Sequence, residues 1–134
     1  MTRQILVIDD DRLFAKSLVF LLHRAGFAAS ALAPGRSTLE TIRAAHADGS
    51  VGLLISDLFM PELDGFEILR FAREHLPGVP VIGMSGWNKG LLCAMRLLGA
   101  AQVHTKPVDA EQLLADVRRL LGPRTPEISE ISES

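Results

Sequence analysis

Tyrosine is absent from this chain, tryptophan occurs once, and aromatic residues make up only 5% of its 134 residues. A core with so few rings must be filled by aliphatic side chains, and the 48% hydrophobic share supplies them. Cysteine also occurs once, as Cys93, so no internal disulfide can form and a reducing cytoplasm is the expected compartment. Cys93 falls in a helical stretch and is expected to fill core space rather than act as a reactive thiol. No apolar run approaches bilayer-spanning length, and the short run Ile5 to Ile8, followed at once by aspartates, does not read as a signal peptide. Basic residues are not in excess: 14 Lys and Arg stand against 16 Asp and Glu, giving a net charge of −2. They are scattered, which argues against a dedicated nucleic-acid surface, and the pair Arg118-Arg119 reads as a solvated helix face. A phosphate-cradling glycine loop is missing as well.

What the chain does contain is a steady alternation. Short apolar runs recur as ILVI (5–8), AASALA (28–33), VGLLI (51–55), VPVIGM (79–84) and AQVHT (101–105). Each is followed by a stretch of helical period, so the pattern is β-α repeated five times. In the first helix Leu13, Phe14, Leu18, Leu21 and Leu22 keep one-face spacing, and Gly26 closes it. Further helices are expected at roughly 37–47, 65–75, 89–98 and from Asp109 to Leu121, with Asp64 as an N-cap and Pro77 as a stop. Strands that are apolar throughout, each returning through a helix, imply a parallel sheet covered on both faces, an α/β doubly wound sandwich. AASALA is the weakest of the five strands, being compatible with helix. Periodicity does not give the strand order.

Four of the five runs end in a group able to do chemistry: Asp9-Asp10 (with Asp11 beyond), Asp57, Ser85 and Lys106. The carboxyl ends of strands line the crevice of an open α/β sheet, so these residues are expected along one edge. Individually each has an ordinary explanation as a turn acid, a helix cap or a surface lysine; their equivalent positions on successive strands favour a common site. Three carboxylates in one crevice repel, and one tends to keep its proton unless a cation binds. An acid-lined, all-oxygen site suits Mg²⁺. With the cluster neutralised, an ionised Asp57 is a candidate nucleophile toward phosphorus. Mg²⁺, Lys106 and the Ser85 hydroxyl then offer one partner for each phosphoryl oxygen.

The pieces ILVIDDD, LLISDLFMPELDGFE, VPVIGMSG and HTKP, in that order and spacing, resemble the receiver domain of bacterial two-component response regulators over about residues 4–121. The resemblance implies a flavodoxin-like (βα)5 fold with a five-stranded parallel sheet in the order 2-1-3-4-5. A receiver domain over 1–122 is then followed by a Glu/Ser/Pro-rich stretch over 123–134, expected to be a solvated, frayed tail; the alternative is that Ile128 and Ile131, at i, i+3, dock on a groove of this protein or of a partner. It implies that Asp57 accepts a phosphoryl group from a sensor histidine kinase or a histidine phosphotransfer protein. Asp10, Asp57 and the Phe59 backbone carbonyl would hold Mg²⁺, Asp9 contributing through water. Ser85 would hydrogen-bond the phosphoryl group, Lys106 would pair with Asp57 or a phosphoryl oxygen, and the Lys106-Pro107 peptide would be cis. Phosphorylation would re-bias the surface of the fourth helix, fifth strand and fifth helix toward a downstream protein target, with dimerisation as one outcome. No direct nucleic-acid contact, no membrane insertion and no enzymatic turnover are implied beyond self-catalysed phosphoryl acceptance and slow autodephosphorylation.

Three departures matter: two single positions and one pair. Val103 stands where a switch aromatic is usual, and His104 where an apolar residue is usual. His104 is expected to be a hydrogen-bonded core histidine. Phe59 and Trp87, two residues beyond Asp57 and Ser85, are large and poorly suited to orient a hydrolytic water, so slow phosphate loss is expected. The stand-alone, chemotaxis-type receiver is the favoured form; the receiver of a longer regulator or hybrid kinase is the alternative. A flavodoxin-like cofactor binder is disfavoured by acids where a flavin phosphate would sit, and an aspartyl-phosphate phosphohydrolase by a nucleophile on the third strand.

Overall fold

The structure, a computed structural model, describes residues 3–86 and 88–122. Trp87 and the tail from 123 to 134, including Ile128 and Ile131, lie outside the described residues. The elements alternate as β1 (Gln4–Ile8), α1 (Arg12–Arg24), β2 (Ala29–Leu32), α2 (Thr38–Ala47), β3 (Val51–Asp57), α3 (Gly65–His75), β4 (Val81–Ser85), α4 (Lys89–Leu97), β5 (Gln102–Thr105) and α5 (Ala110–Leu121). All pairings are parallel and the order is β2-β1-β3-β4-β5, as the resemblance implies.

The continuous apolar strands are explained by burial on both faces. Alternate residues of β1 serve opposite sides: Ile5 and Val7 pack with Leu18 and Leu22 of α1 and Leu113 and Val117 of α5. Leu6 and Ile8 pack with Ile42 of α2, Ile68 and Leu69 of α3, and Leu92 and Met95 of α4. Every residue of β3 is buried, as suits the central strand. β2 is an edge strand and its middle residues, Ser30 and Ala31, are exposed, which suits a run of small side chains.

Polar side chains set the helix starts. Asp11, Asp64, Asn88 and Asp109 each accept a hydrogen bond from a backbone N–H of the first turn, satisfying a group the helix itself leaves free. At α3 the cap is reciprocal, with Glu67 returning a bond to the Asp64 N–H. Gly26 and Gly99, just past α1 and α4, take φ of 96° and 120°, a region that favours glycine. One expectation fails: Cys93 is exposed. Leu92 and Met95 are the inward residues of α4, and a side chain one position after Leu92 is rotated about 100° away from the core. No helix of the described residues is long and apolar enough to cross a membrane.

Candidate functional site

Register brings the polar strand ends together. Ile8 pairs with Ser56, so Asp9 and Asp57 leave β1 and β3 at the same level. Asp57 pairs with Met84, putting Ser85 one step further along β4, and Ser85 pairs with Thr105, putting Lys106 one step beyond β5. The Lys106 N–H donates to the Ser85 carbonyl at 2.9 Å, which extends the ladder to the lysine itself. The Lys106-Pro107 peptide is cis.

Asp9, Asp10 and Asp57 each offer a carboxylate oxygen, and these oxygens lie within 4.8 Å of one another. Their environments differ. The Asp9 side chain has no exposure at all; one oxygen accepts from the Asp11 N–H at 2.9 Å and the other from Lys106 Nζ at 2.8 Å. Asp57 retains a sliver of access, 11% of its side chain, and its Oδ1 lies 3.2 Å from Lys106 Nζ. Asp10 is exposed. Burial, then the charge of Asp9 and more weakly that of Asp10, push the Asp57 carboxyl above its ordinary range, against the pull of Lys106. Burial alone would lower Lys106, but its hydrogen bond to Asp9 and the charges of Asp57 and Asp9 prevail and raise it.

Three acids facing one ammonium leave excess negative charge in a small, partly dry space. That donor set fits Mg²⁺: it is all oxygen, one acid is exposed enough to keep waters, and the cluster is electrostatically short of a cation.

The surrounding residues explain the loop sequence. Gly65 opens α3, and a Cβ there would stand 2.8 Å from the Asp57 carbonyl oxygen and 3.1 Å from the Leu58 Cα. The glycine of DLFMPELDG is therefore required by the close approach of backbone behind the acid, in addition to its place in a turn. The Gly65 N–H donates to the Leu58 carbonyl at 3.0 Å, closing that loop. Gly83 likewise gives α4 room, since a Cβ there would collide with the Met95 sulfur. Phe59 is at the rim, 37% exposed. Ser85 is buried, and Val103 packs on the core cluster beneath α4.

Two contacts were not legible from spacing. The Lys106 Nζ lies 4.4 Å from the centroid of the Phe14 ring on α1, a residue the periodicity assigned only to the core. His104 is buried as expected, and its partner is Asp116 of α5, with Nε2 2.8 Å from Oδ2. Arg119 donates to the other Asp116 oxygen at 3.0 Å.

These observations define the class of the molecule: a doubly wound α/β sheet with an acidic, lysine-bridged cluster at its reversal point. Residues 5–118 match the family described as "Response regulator receiver domain", and the chain belongs to that family. It is 30% identical over 130 residues to the sensory transduction protein RegX3 of Mycobacterium tuberculosis, covering 96% of this chain and 55% of that protein. It is 31% identical over 123 residues to the transcriptional regulatory protein FixJ of Bradyrhizobium diazoefficiens, covering 91% and 58%. The chain thus spans little more than half the length of these curated relatives. A crystal structure of a response regulator receiver domain protein from Clostridium thermocellum superposes with a TM-score of 0.74 at 30% identity, covering 89% of this chain and 94% of that one. The signal receiver domain of a response regulator from Bermanella marisrubri gives 0.76 at 25% identity, covering 91% and 100%.

Proposed function

We propose that this chain is a phosphorylation-dependent signalling switch or relay in which Asp57 is the phosphoacceptor. The observation that carries the reading is the position of Lys106, bonded to the buried Asp9 and reaching Asp57, beside a third acid, Asp10. In the transfer, an Asp57 carboxylate oxygen forms a bond to phosphorus as the P–N bond of a phosphohistidine breaks, and the departing imidazole nitrogen takes up a proton. Lys106 is placed to neutralise a phosphoryl oxygen at that acceptor. Ser85 is the last residue of β4, at the same edge, and is assigned the hydrogen bond to the transferred group. Asp10, Asp57 and the Phe59 carbonyl would hold Mg²⁺, which supplies charge neutralisation to the phosphoryl oxygens when bound; Asp9, committed to Lys106 and Asp11, would act through water.

The partners on this reading are a sensor histidine kinase or histidine phosphotransfer protein upstream and a protein target downstream, in the cytoplasm. The output would be a shift in the α4-β5-α5 surface between two populated states, with dimerisation as one consequence. Val103 in place of an aromatic means that the shift is carried by movement other than a ring swing. The receiver is proposed over 1–122 and a separate tail over 123–134. Likeness to regulators of nearly twice the length supports the receiver reading.

The test is incubation with Mg²⁺ and acetyl phosphate, followed by intact mass. Gain of one phosphoryl group by the native protein, and none by Asp57→Asn, is the expected outcome. Uptake that survives Asp57→Asn defeats the assignment.

A further inference from the structure

The third aspartate of ILVIDDD and the phenylalanine three residues later are outside the metal and acceptor set, yet both are tied to it. Asp9 accepts from the Asp11 N–H at 2.9 Å, and Asp11 in turn accepts from the Phe14 N–H at 3.1 Å as the N-cap of α1. This short chain of bonds fixes the first turn of α1 relative to the acid cluster. The Phe14 ring is thereby held 4.4 Å from the Lys106 ammonium, the same ammonium that bridges Asp9 at 2.8 Å and Asp57 at 3.2 Å. Lys106 arrives from a loop 97 residues away from Asp9 in sequence and is long and rotatable, so its head group needs a lateral wall. An aliphatic side chain would fill the same space; only an aromatic face also attracts the cation, through its quadrupole.

We propose that Phe14 is a positioning residue for the acceptor site, its ring face holding the Lys106 ammonium between Asp9 and Asp57 for phosphoryl acceptance. The proposal rests on Asp57 as the acceptor. It gives the first turn of α1 a direct part in the site, in addition to its packing on the core.

A double-mutant cycle in the full chain tests it, with Phe14→Leu, Lys106→Met and their combination, and Phe14→Tyr as the conservative control. The first readout is the initial rate of phosphoryl uptake from acetyl phosphate at saturating Mg²⁺. Phe14→Leu is expected to slow uptake about fivefold, the size of a half-desolvated cation–π contact, while Phe14→Tyr keeps the native rate. In the Lys106→Met background the Phe14→Leu step should cost nothing further. A native rate in Phe14→Leu, or the same loss with and without Lys106, overturns the proposal, because side chains that do not act on one another contribute additively. The second readout, the denaturation midpoint of the metal-free proteins, requires no phosphoryl chemistry. A non-additive pair supports the contact and an additive pair overturns it. If the native protein takes up no phosphoryl group, the acceptor reading falls first, and it is the native control rather than any variant that reveals it.

Discussion

Two carboxylate sites of this molecule each bond a basic side chain from another element, and they are built to opposite ends. On α5, Asp116 is shared between His104 and Arg119, one oxygen to each, so every polar atom of the carboxylate has a protein partner. At the strand ends, three acids share the single ammonium of Lys106. The first arrangement is closed and has no further appetite for charge. The second is left short of a cation by its own composition, and burial makes the shortage felt as a raised Asp57. The contrast teaches that a buried ion pair marks a functional site only when its charges do not balance within the protein.

The largest expected effect separates the two regions outright. Asp57→Asn abolishes phosphoryl uptake and, in metal-free buffer at neutral pH, stabilises the fold by about 1 kcal/mol, since it removes a like charge from a crowded, half-dry site; mass spectrometry and urea denaturation read the two effects. Asp116→Ala does the reverse. It leaves His104 buried without its acceptor and costs about 2 kcal/mol of stability, with the uptake rate unchanged. An uptake rate that fell with Asp116→Ala would erase the distinction.

pH sharpens it further. Asp57 is raised in the fold, so its ionisation opposes folding: the penalty is full above the folded value and is relieved as pH falls through it toward the unfolded one. Metal-free native protein should therefore gain on Asp57→Asn as pH drops through that window. Lys106 is also raised, so its contribution is full below the ordinary lysine value and is lost as pH rises through the folded one. Denaturation midpoints across pH, native against Asp57→Asn and Lys106→Met, check both signs. The smallest effect concerns the positions two residues beyond Asp57 and Ser85 in sequence. A Phe59→Asn, Trp87→Glu variant, which gains side chains able to orient water, should lose its phosphoryl group several-fold faster than the native protein, read by decay of the phosphorylated mass.

Much of this was legible in the amino-acid order. Hydrophobic runs of strand length alternating with helical periods specify a covered parallel sheet, because only that arrangement buries strands on both sides. The polar residues closing those runs, Asp9, Asp57, Ser85 and Lys106, follow from the same logic, since each strand must end where its backbone meets solvent. Resemblance to the receiver family implied the strand order, which periodicity cannot encode, and the sheet has that order. Cys93 was misjudged because helical spacing alone leaves the edges of the buried stripe undefined, and neighbouring Leu92 and Met95 hold that stripe.

Sequence by itself therefore determined the elements, the layering and the identity of the strand-end acids, all of which depend on period and local chemistry. Tertiary structure alone decided the pairings: that Lys106 bonds Asp9 as well as Asp57, that Phe14 faces its ammonium, that Asp116 receives His104, and that Gly65 leaves no room for a Cβ behind Asp57. Those depend on side-chain reach across elements far apart in the chain, and such distances exist only once the sheet has set its register.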